Sequence, residues 1–185
     1  MAEPSRIILL NGVGSSGKST IARALQSIAV EPFLHVEMDA FIDMLPPSAF
    51  GQSSGLMFET IEQDGRAAVV IRSGPTIQRL MRGMRRAVAA LAAQGNNLIV
   101  DDVWWEGEEQ DYRALLEGFE TYLVGIHAPL DELEARERER GDRIIGLARW
   151  QFDRVHKGVT YDLEIDTTGA TPMECAEAIK ETFGL

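Results

Sequence analysis

The chain has 185 residues, 18 of them Lys or Arg and 29 Asp or Glu, which gives a formal charge of −11. A surface this acidic repels a phosphate backbone and an anionic bilayer, so neither nucleic acid nor membrane is an expected partner. The lone Cys175 rules out an intramolecular disulfide and a cysteine zinc cluster, and the longest early apolar run, Ile7 to Leu10, is too short to span a bilayer. A cytoplasmic chain is expected. No internal repeat, low-complexity tract or linker divides the sequence, so residues 1–185 are expected to form one domain.

In chain order, an apolar strand from Arg6 to Asn11 enters a glycine-rich turn, and a helical pattern runs from Lys18 to about Ala29. A short strand is predicted at Leu34 to Met38, followed by an irregular stretch with Pro46, Pro47, Gly51 and Gly55. Leu56 to Ile61 and Arg66 to Ile71 flank Asp64-Gly65, a pair that tolerates the positive φ of a hairpin turn. Gly74-Pro75-Thr76 opens a helix with Ile77, Leu80, Met84, Val88 and Leu91 on one face, ending at Gly95. Asn97 to Val103 is apolar without alternation, as in a strand buried on both faces. A helix at about Glu108 to Gly118, a strand at Tyr122 to Ile126 and a charged helix from Pro129 to about Arg140 come next. A further helix follows Gly141, then a strand at Leu163 to Asp166 and a closing amphipathic helix from about Thr171 to Phe183 that packs Cys175. Alternating strands and helices predict an α/β fold with a mostly parallel sheet covered on both faces, and ligands bound beyond the carboxyl ends of its strands.

Gly12-Val13-Gly14-Ser15-Ser16-Gly17-Lys18-Ser19 satisfies the pattern G-x-x-x-x-G-K-[ST] in full. The glycines let consecutive N–H groups turn inward on phosphate oxygens, and the helix that follows adds its positive end. Lys18 is expected to reach the β- and γ-phosphates, Ser19 to offer its hydroxyl to Mg²⁺, and Thr20 to belong to the same nucleotide site. A glycine-rich turn matching by chance rarely also follows an apolar strand and opens a helix. The segment therefore reads as a nucleoside triphosphate site.

Asp39 directly follows the second strand, on the same rim. There it could accept a proton from an attacking hydroxyl, or cap a short helix at Ala40 to Leu45. Asp101-Asp102 closes the Leu98-Ile99-Val100 run; Asp101 is assigned to the metal shell and Asp102 to the substrate side. Trp104 and Trp105 follow at once, and at least one is expected to border an acceptor pocket, because neighbours on a strand face opposite ways. Arg140-Gly141-Asp142-Arg143 breaks a charged helix at a glycine, as a hinged lid would, so Arg140 and Arg143 are assigned to the transferring phosphoryl group and Arg136 to the nucleotide. Arg138 reads as one member of a solvated, ion-paired face. Arg79, Arg82, Arg85 and Arg86 read as the polar face of their helix; an anchor for an anionic acceptor or a homo-oligomer contact is the alternative. His35, His127 and His156 share no metal-ligand spacing.

The phosphate loop, Asp39, Asp101-Asp102, the Arg140–Arg143 turn, His156-Lys157-Gly158-Val159-Thr160-Tyr161-Asp162, Asp166-Thr167-Thr168 and Glu174-Cys175-Ala176 occur in this order. Together the chain resembles the chloramphenicol phosphotransferase family over essentially its whole length. The resemblance implies a P-loop kinase with a five-stranded parallel sheet and a lid, ATP and Mg²⁺ as cofactors, and a small-molecule hydroxyl acceptor. It also implies Asp39 as general base and Thr167 to Pro172 near the adenine. Met44 to Gly55, Trp104-Trp105 and the arginines from Arg79 to Arg86 depart from the family pattern, and these segments are expected to line the acceptor pocket. Kinases of shikimate, gluconate or nucleotides are the alternative activities. A regulatory module that binds a nucleoside triphosphate is the alternative of another class, although no Asn-Lys-x-Asp base-reading motif is present.

Overall fold

The computed structural model describes residues 4–104, 107–141 and 144–185. Five parallel strands form the central sheet: β1 (Arg6–Gly12), β2 (Phe33–Glu37), β5 (Asn97–Asp102), β6 (Glu120–His127) and β7 (Leu163–Asp166), in the spatial order β2-β5-β1-β6-β7. The predicted strands are all present, with ends shifted by one or two residues. β1 lies at the centre, pairing Leu9 with Val100 on one side and with Leu123 on the other. This explains why its apolar run does not alternate, since both of its faces are covered.

Successive β1 residues feed two different layers. Ile8 and Leu10 pack on α1 (Lys18–Ile28) and α7 (Pro172–Phe183) through Ile21, Leu25, Cys175 and Ile179. Ile7 and Leu9 pack on the opposite side, on α3 (Pro75–Ala93) and α4 (Glu108–Leu115), through Met84, Val88 and Tyr112. α7 starts where the sequence allows it to. The Thr171 hydroxyl accepts from the Glu174 N–H, and the Glu174 carboxylate accepts from the Thr171 N–H, a reciprocal cap ahead of Pro172.

A hairpin stands off this sheet. β3 (Leu56–Gln63) and β4 (Arg66–Ser73) pair antiparallel around Asp64 and Gly65, whose φ values of 53° and 72° are the left-handed pair such a turn requires. The strands run two residues beyond the sequence prediction. α2 (Met38–Ile42) follows β2 without a break, and α5 (Leu130–Arg140) and α6 (Leu147–Phe152) precede β7. Among the described residues no helix is long and apolar enough to cross a membrane.

Candidate active site

The carboxyl ends of β1, β2 and β5 open onto a cavity of about 720 Å³. Phosphate-loop residues Gly14, Ser15, Gly17, Lys18, Ser19 and Thr20 line one end of it. The other expected loop residues hold this end in place. Val13 is buried against Leu133, Ala148 and Val155, and the Ser16 side chain is fully buried. Gly12 lies so close to β6 that a Cβ would sit 2.5 Å from the Ile126 carbonyl oxygen. Only glycine permits the loop to leave β1 on this path.

The Lys18 ammonium donates to the carbonyl oxygens of Gly12 (2.8 Å) and Val13 (3.2 Å) and lies 3.9 Å from Asp101. The Ser19 hydroxyl hydrogen-bonds to the Asp101 carboxylate. Burial pushes the Asp101 carboxyl up, but His35, Lys18 and Ser19 together hold it below the usual carboxylate range, so it stays ionised. A serine hydroxyl, an ionised carboxylate and the nearby Glu37 make a set of hard oxygen donors suited to Mg²⁺. His35, one strand away in the sheet, brings its Nδ1 to 3.3 Å from Glu37 and its Nε2 to 3.8 Å from Asp101. Sequence spacing gave no sign of this group, because β2 and β5 pair across more than sixty residues of chain.

Asp39 lines the same cavity. It sits in the first turn of α2 and does not cap it; Glu37 occupies the cap position, and the helix begins at Met38, two residues before the expected start. Asp102 also reaches the wall, but its oxygens are engaged: Oδ1 accepts from the Val103 N–H (2.8 Å) and Oδ2 from the Tyr112 hydroxyl (2.8 Å). Burial raises the Asp102 carboxyl above its usual value, although Tyr112 and the Val103 N–H oppose that rise. Trp104 corrects an expectation. Its side chain is fully buried with Met84, Val88 and Tyr112 and does not line the cavity. Trp105 and Arg143 lie outside the described residues.

Arg140, the last residue of α5, lines the cavity. Arg136, one turn earlier, does not; its guanidinium donates to the Thr167 hydroxyl (2.9 Å) and carbonyl (3.1 Å), tying α5 to the segment after β7. Two functional positions escaped the sequence reading. Gln151 is buried, lines the cavity and accepts the Gly14 N–H at 2.7 Å, so α6 is fastened to the phosphate loop. Glu137 is buried and accepts from the Gly146 N–H (2.7 Å) and the Ala148 N–H (2.8 Å), capping α6 from another helix.

The family model described as chloramphenicol phosphotransferase-like protein matches residues 5–184. A protein of Mycobacterium tuberculosis named as a candidate O-phosphotransferase is 34% identical over 184 residues, covering 96% of this chain and 82% of its own. The chain belongs to the chloramphenicol phosphotransferase-like family. Its fold is that of the P-loop kinases. A sugar kinase from Janibacter sp. superposes with a TM-score of 0.69 at 17% identity, covering 98% of this chain and 95% of its own. The APS kinase of M. tuberculosis, solved with AMPPNP and APS, gives 0.67 at 16% identity over 99% of both chains. Shikimate kinase from Acinetobacter baumannii gives 0.61 at 14% identity, covering 98% and 94%. In this chain the phosphate loop, Asp101 and Asp39 line one cavity at the carboxyl ends of the strands.

Proposed function

We propose that the protein is an ATP- and Mg²⁺-dependent O-phosphotransferase that moves the γ-phosphoryl group onto a hydroxyl of a small molecule. One observation carries this reading: Asp39 and the phosphate loop line a single cavity, with the Ser19–Asp101 pair between β1 and β2. The loop N–H groups and Lys18 hold the triphosphate. Ser19 and Asp101 would hold Mg²⁺, which when bound offsets charge on the phosphate oxygens. Asp39 accepts the proton of the acceptor hydroxyl as its oxygen forms a bond to the γ-phosphorus. The bond from that phosphorus to the β–γ bridging oxygen breaks, and ADP leaves. Arg140 at the end of α5 stabilises the charge on the transferring group, and Arg143 is assigned to the same task. Positioning and charge supply most of the acceleration in such a reaction.

Chloramphenicol is the first acceptor to test, because the family bears its name. The assay is acceptor-dependent ADP release with Mg-ATP. Asp39→Ala is expected to lower turnover by about 10²- to 10⁴-fold, the range of a lost general base, with ATP binding retained. Lys18→Ala is expected to weaken ATP binding as well. Near-normal turnover by Asp39→Ala would refute Asp39 as the base.

A further inference from the structure

Gln151 is a neutral amide set among charged groups at the phosphate-loop end of the cavity. It is 3% exposed, yet it lines the cavity together with Gly14, Lys18, Glu137 and Arg140. An amide side chain offers an accepting oxygen and two N–H donors. The oxygen is committed, because the Gly14 N–H can only donate and reaches Oε1 at 2.7 Å. That contact settles which way round the amide lies. Its Nε2 donors then have no acceptor among the described residues. Unlike the sealed Ser16 hydroxyl, Nε2 keeps accessible surface, on a side chain that lines the cavity.

The amide is held rigidly from both sides. The Gln151 carbonyl accepts from the Arg154 N–H (2.9 Å) and the Val155 N–H (3.0 Å), and the Val155 carbonyl accepts from Asn11 at the end of β1 (2.9 Å). Glycine at position 14 permits the close approach, since a Cβ there would lie 3.2 Å from Oε1. The Lys18 ammonium shows which phosphate belongs at this place. It is seated on the Gly12 and Val13 carbonyls, next to Gly14 in the chain, and in a loop of this pattern that ammonium meets the β- and γ-phosphates. A strap for the loop would need an acceptor and nothing more. Glu137 supplies a carboxylate for that purpose at the start of α6, where it takes two N–H groups. A carboxylate at position 151 would set its charge against a triphosphate, whereas an amide accepts from Gly14 and still donates.

We infer that Gln151 is a ligand of the nucleotide's γ-phosphoryl group, with Oε1 kept on the Gly14 N–H and Nε2 donating to a γ-phosphate oxygen. The inference rests on the phosphate loop's holding a nucleoside triphosphate. It adds α6 to a site that the loop pattern alone places at the start of α1. A donor fixed there gives ATP an interaction that ADP lacks, and no reorganisation is needed to make it. Glu137 joins α6 to α5, so the γ-phosphate contact and Arg140 belong to one connected pair of helices.

The test is calorimetry of Mg-AMPPNP and of Mg-ADP on the wild type and two variants, with urea unfolding to show that each variant folds. Gln151→Glu keeps an acceptor for the Gly14 N–H, removes the donors and adds a charge. Gln151→Met keeps the bulk and removes both functions. Gln151→Glu is expected to weaken Mg-AMPPNP by about tenfold or more, the scale of a hydrogen bond to a charged group, and Mg-ADP by less than about threefold. Gln151→Met should lower the same AMPPNP-to-ADP preference, with any loss in seating the loop shared by both nucleotides. A purely structural strap predicts the reverse order. Normal binding by Gln151→Glu with an equal loss of both nucleotides in Gln151→Met would overturn the inference. Tighter binding of both nucleotides by Gln151→Met would also overturn it, because the amide would then be competing with phosphate for the Gly14 N–H. A wild type that binds neither nucleotide would overturn the phosphotransferase reading and the inference with it. A Gln151-dependent preference without acceptor-dependent ADP release would keep the γ-phosphate ligand and overturn the phosphotransferase reading alone.

Discussion

Successive residues of a strand point to opposite faces, and at the end of β5 that alternation sets two adjacent carboxylates to different tasks. Asp101 turns toward Ser19 and Lys18 and is kept ionised by them, while Asp102 turns toward α4 and takes the Tyr112 hydroxyl. The Tyr112 hydroxyl is in turn pushed well above its usual pKa by burial and by the Asp102 charge, so it remains a donor at any working pH. The same alternation decides Trp104, whose ring lies 5.5 Å from that of Tyr112 and tilted 45° to it. Its place is with Met84 and Val88 of α3 and Tyr112 of α4, away from the cavity. Trp104→Phe removes buried bulk, and we expect a loss of about 1–2 kcal/mol in unfolding free energy, short of the cost of truncation to alanine. The KM for acceptor should stay within about twofold, since no cavity contact is lost. A raised KM with unchanged stability would return Trp104 to the pocket wall.

The hairpin and the helices after it form one mechanical unit. The Gly146 carbonyl accepts from the Val69 N–H at 2.9 Å, and Arg149 of α6 pairs with Glu134 of α5 at 2.5 Å, while Arg66 of β4 approaches that same carboxylate at 3.5 Å. Thus the hairpin, whose Phe58 and Ile71 line the cavity, is tied to the helix that ends in Arg140. Glu137 is the joint, because it caps α6 from one turn before Arg140. Glu137→Ala would leave two buried N–H groups without acceptors, each worth about 1–3 kcal/mol, so a loss of about 2–6 kcal/mol in urea unfolding is expected. Glu137→Gln keeps one carbonyl acceptor and should lose roughly half as much. A loss under about 0.5 kcal/mol for the alanine variant would show that the cap holds nothing. This joint could not be read from the sequence, where Glu137 is one acid among alternating charges. Local signals made the strands, the hairpin turn and the phosphate loop legible, because periodicity, Asp64-Gly65 and the loop pattern are written in neighbouring residues. Gln151 on Gly14, and the lining of the cavity by Arg82 and Arg85 but not by Arg79 and Arg86, depend on what packs against each helix. Such contacts join segments far apart in the chain, and no local pattern encodes them.

At the scale of the whole molecule, the tail after α6 closes beneath the phosphate loop through a directed hydrogen-bond chain. The Trp104 backbone N–H donates to Asn11 Oδ1 at 2.9 Å, which fixes the Asn11 amide so that Nδ2 donates to the Val155 carbonyl (2.9 Å) and to the Tyr161 oxygen (2.7 Å). The Tyr161 hydroxyl thereby has its proton free for His156 Nδ1, 2.8 Å away. Burial, the His127 ring stacked at 3.9 Å and the Lys18 charge all disfavour the imidazolium, and the His156 pKa is lowered to about 4. Protonating Nδ1 would set two donors against each other under residue 11, where β1 delivers the chain to the loop. In the unfolded chain His156 titrates near its ordinary value of 6.5. Between about pH 6.5 and pH 4 the unfolded state therefore binds more protons, and stability falls as pH is lowered through that window. Urea unfolding as a function of pH measures this slope. His156→Gln, which keeps an acceptor for the Tyr161 hydroxyl but does not titrate, should show a shallower fall over the same range. The many carboxylates contribute the same background in both proteins, so the difference between the two curves isolates the imidazole. Parallel curves would mean that His156 titrates alike in both states and that the chain under the phosphate loop is not held by a neutral ring.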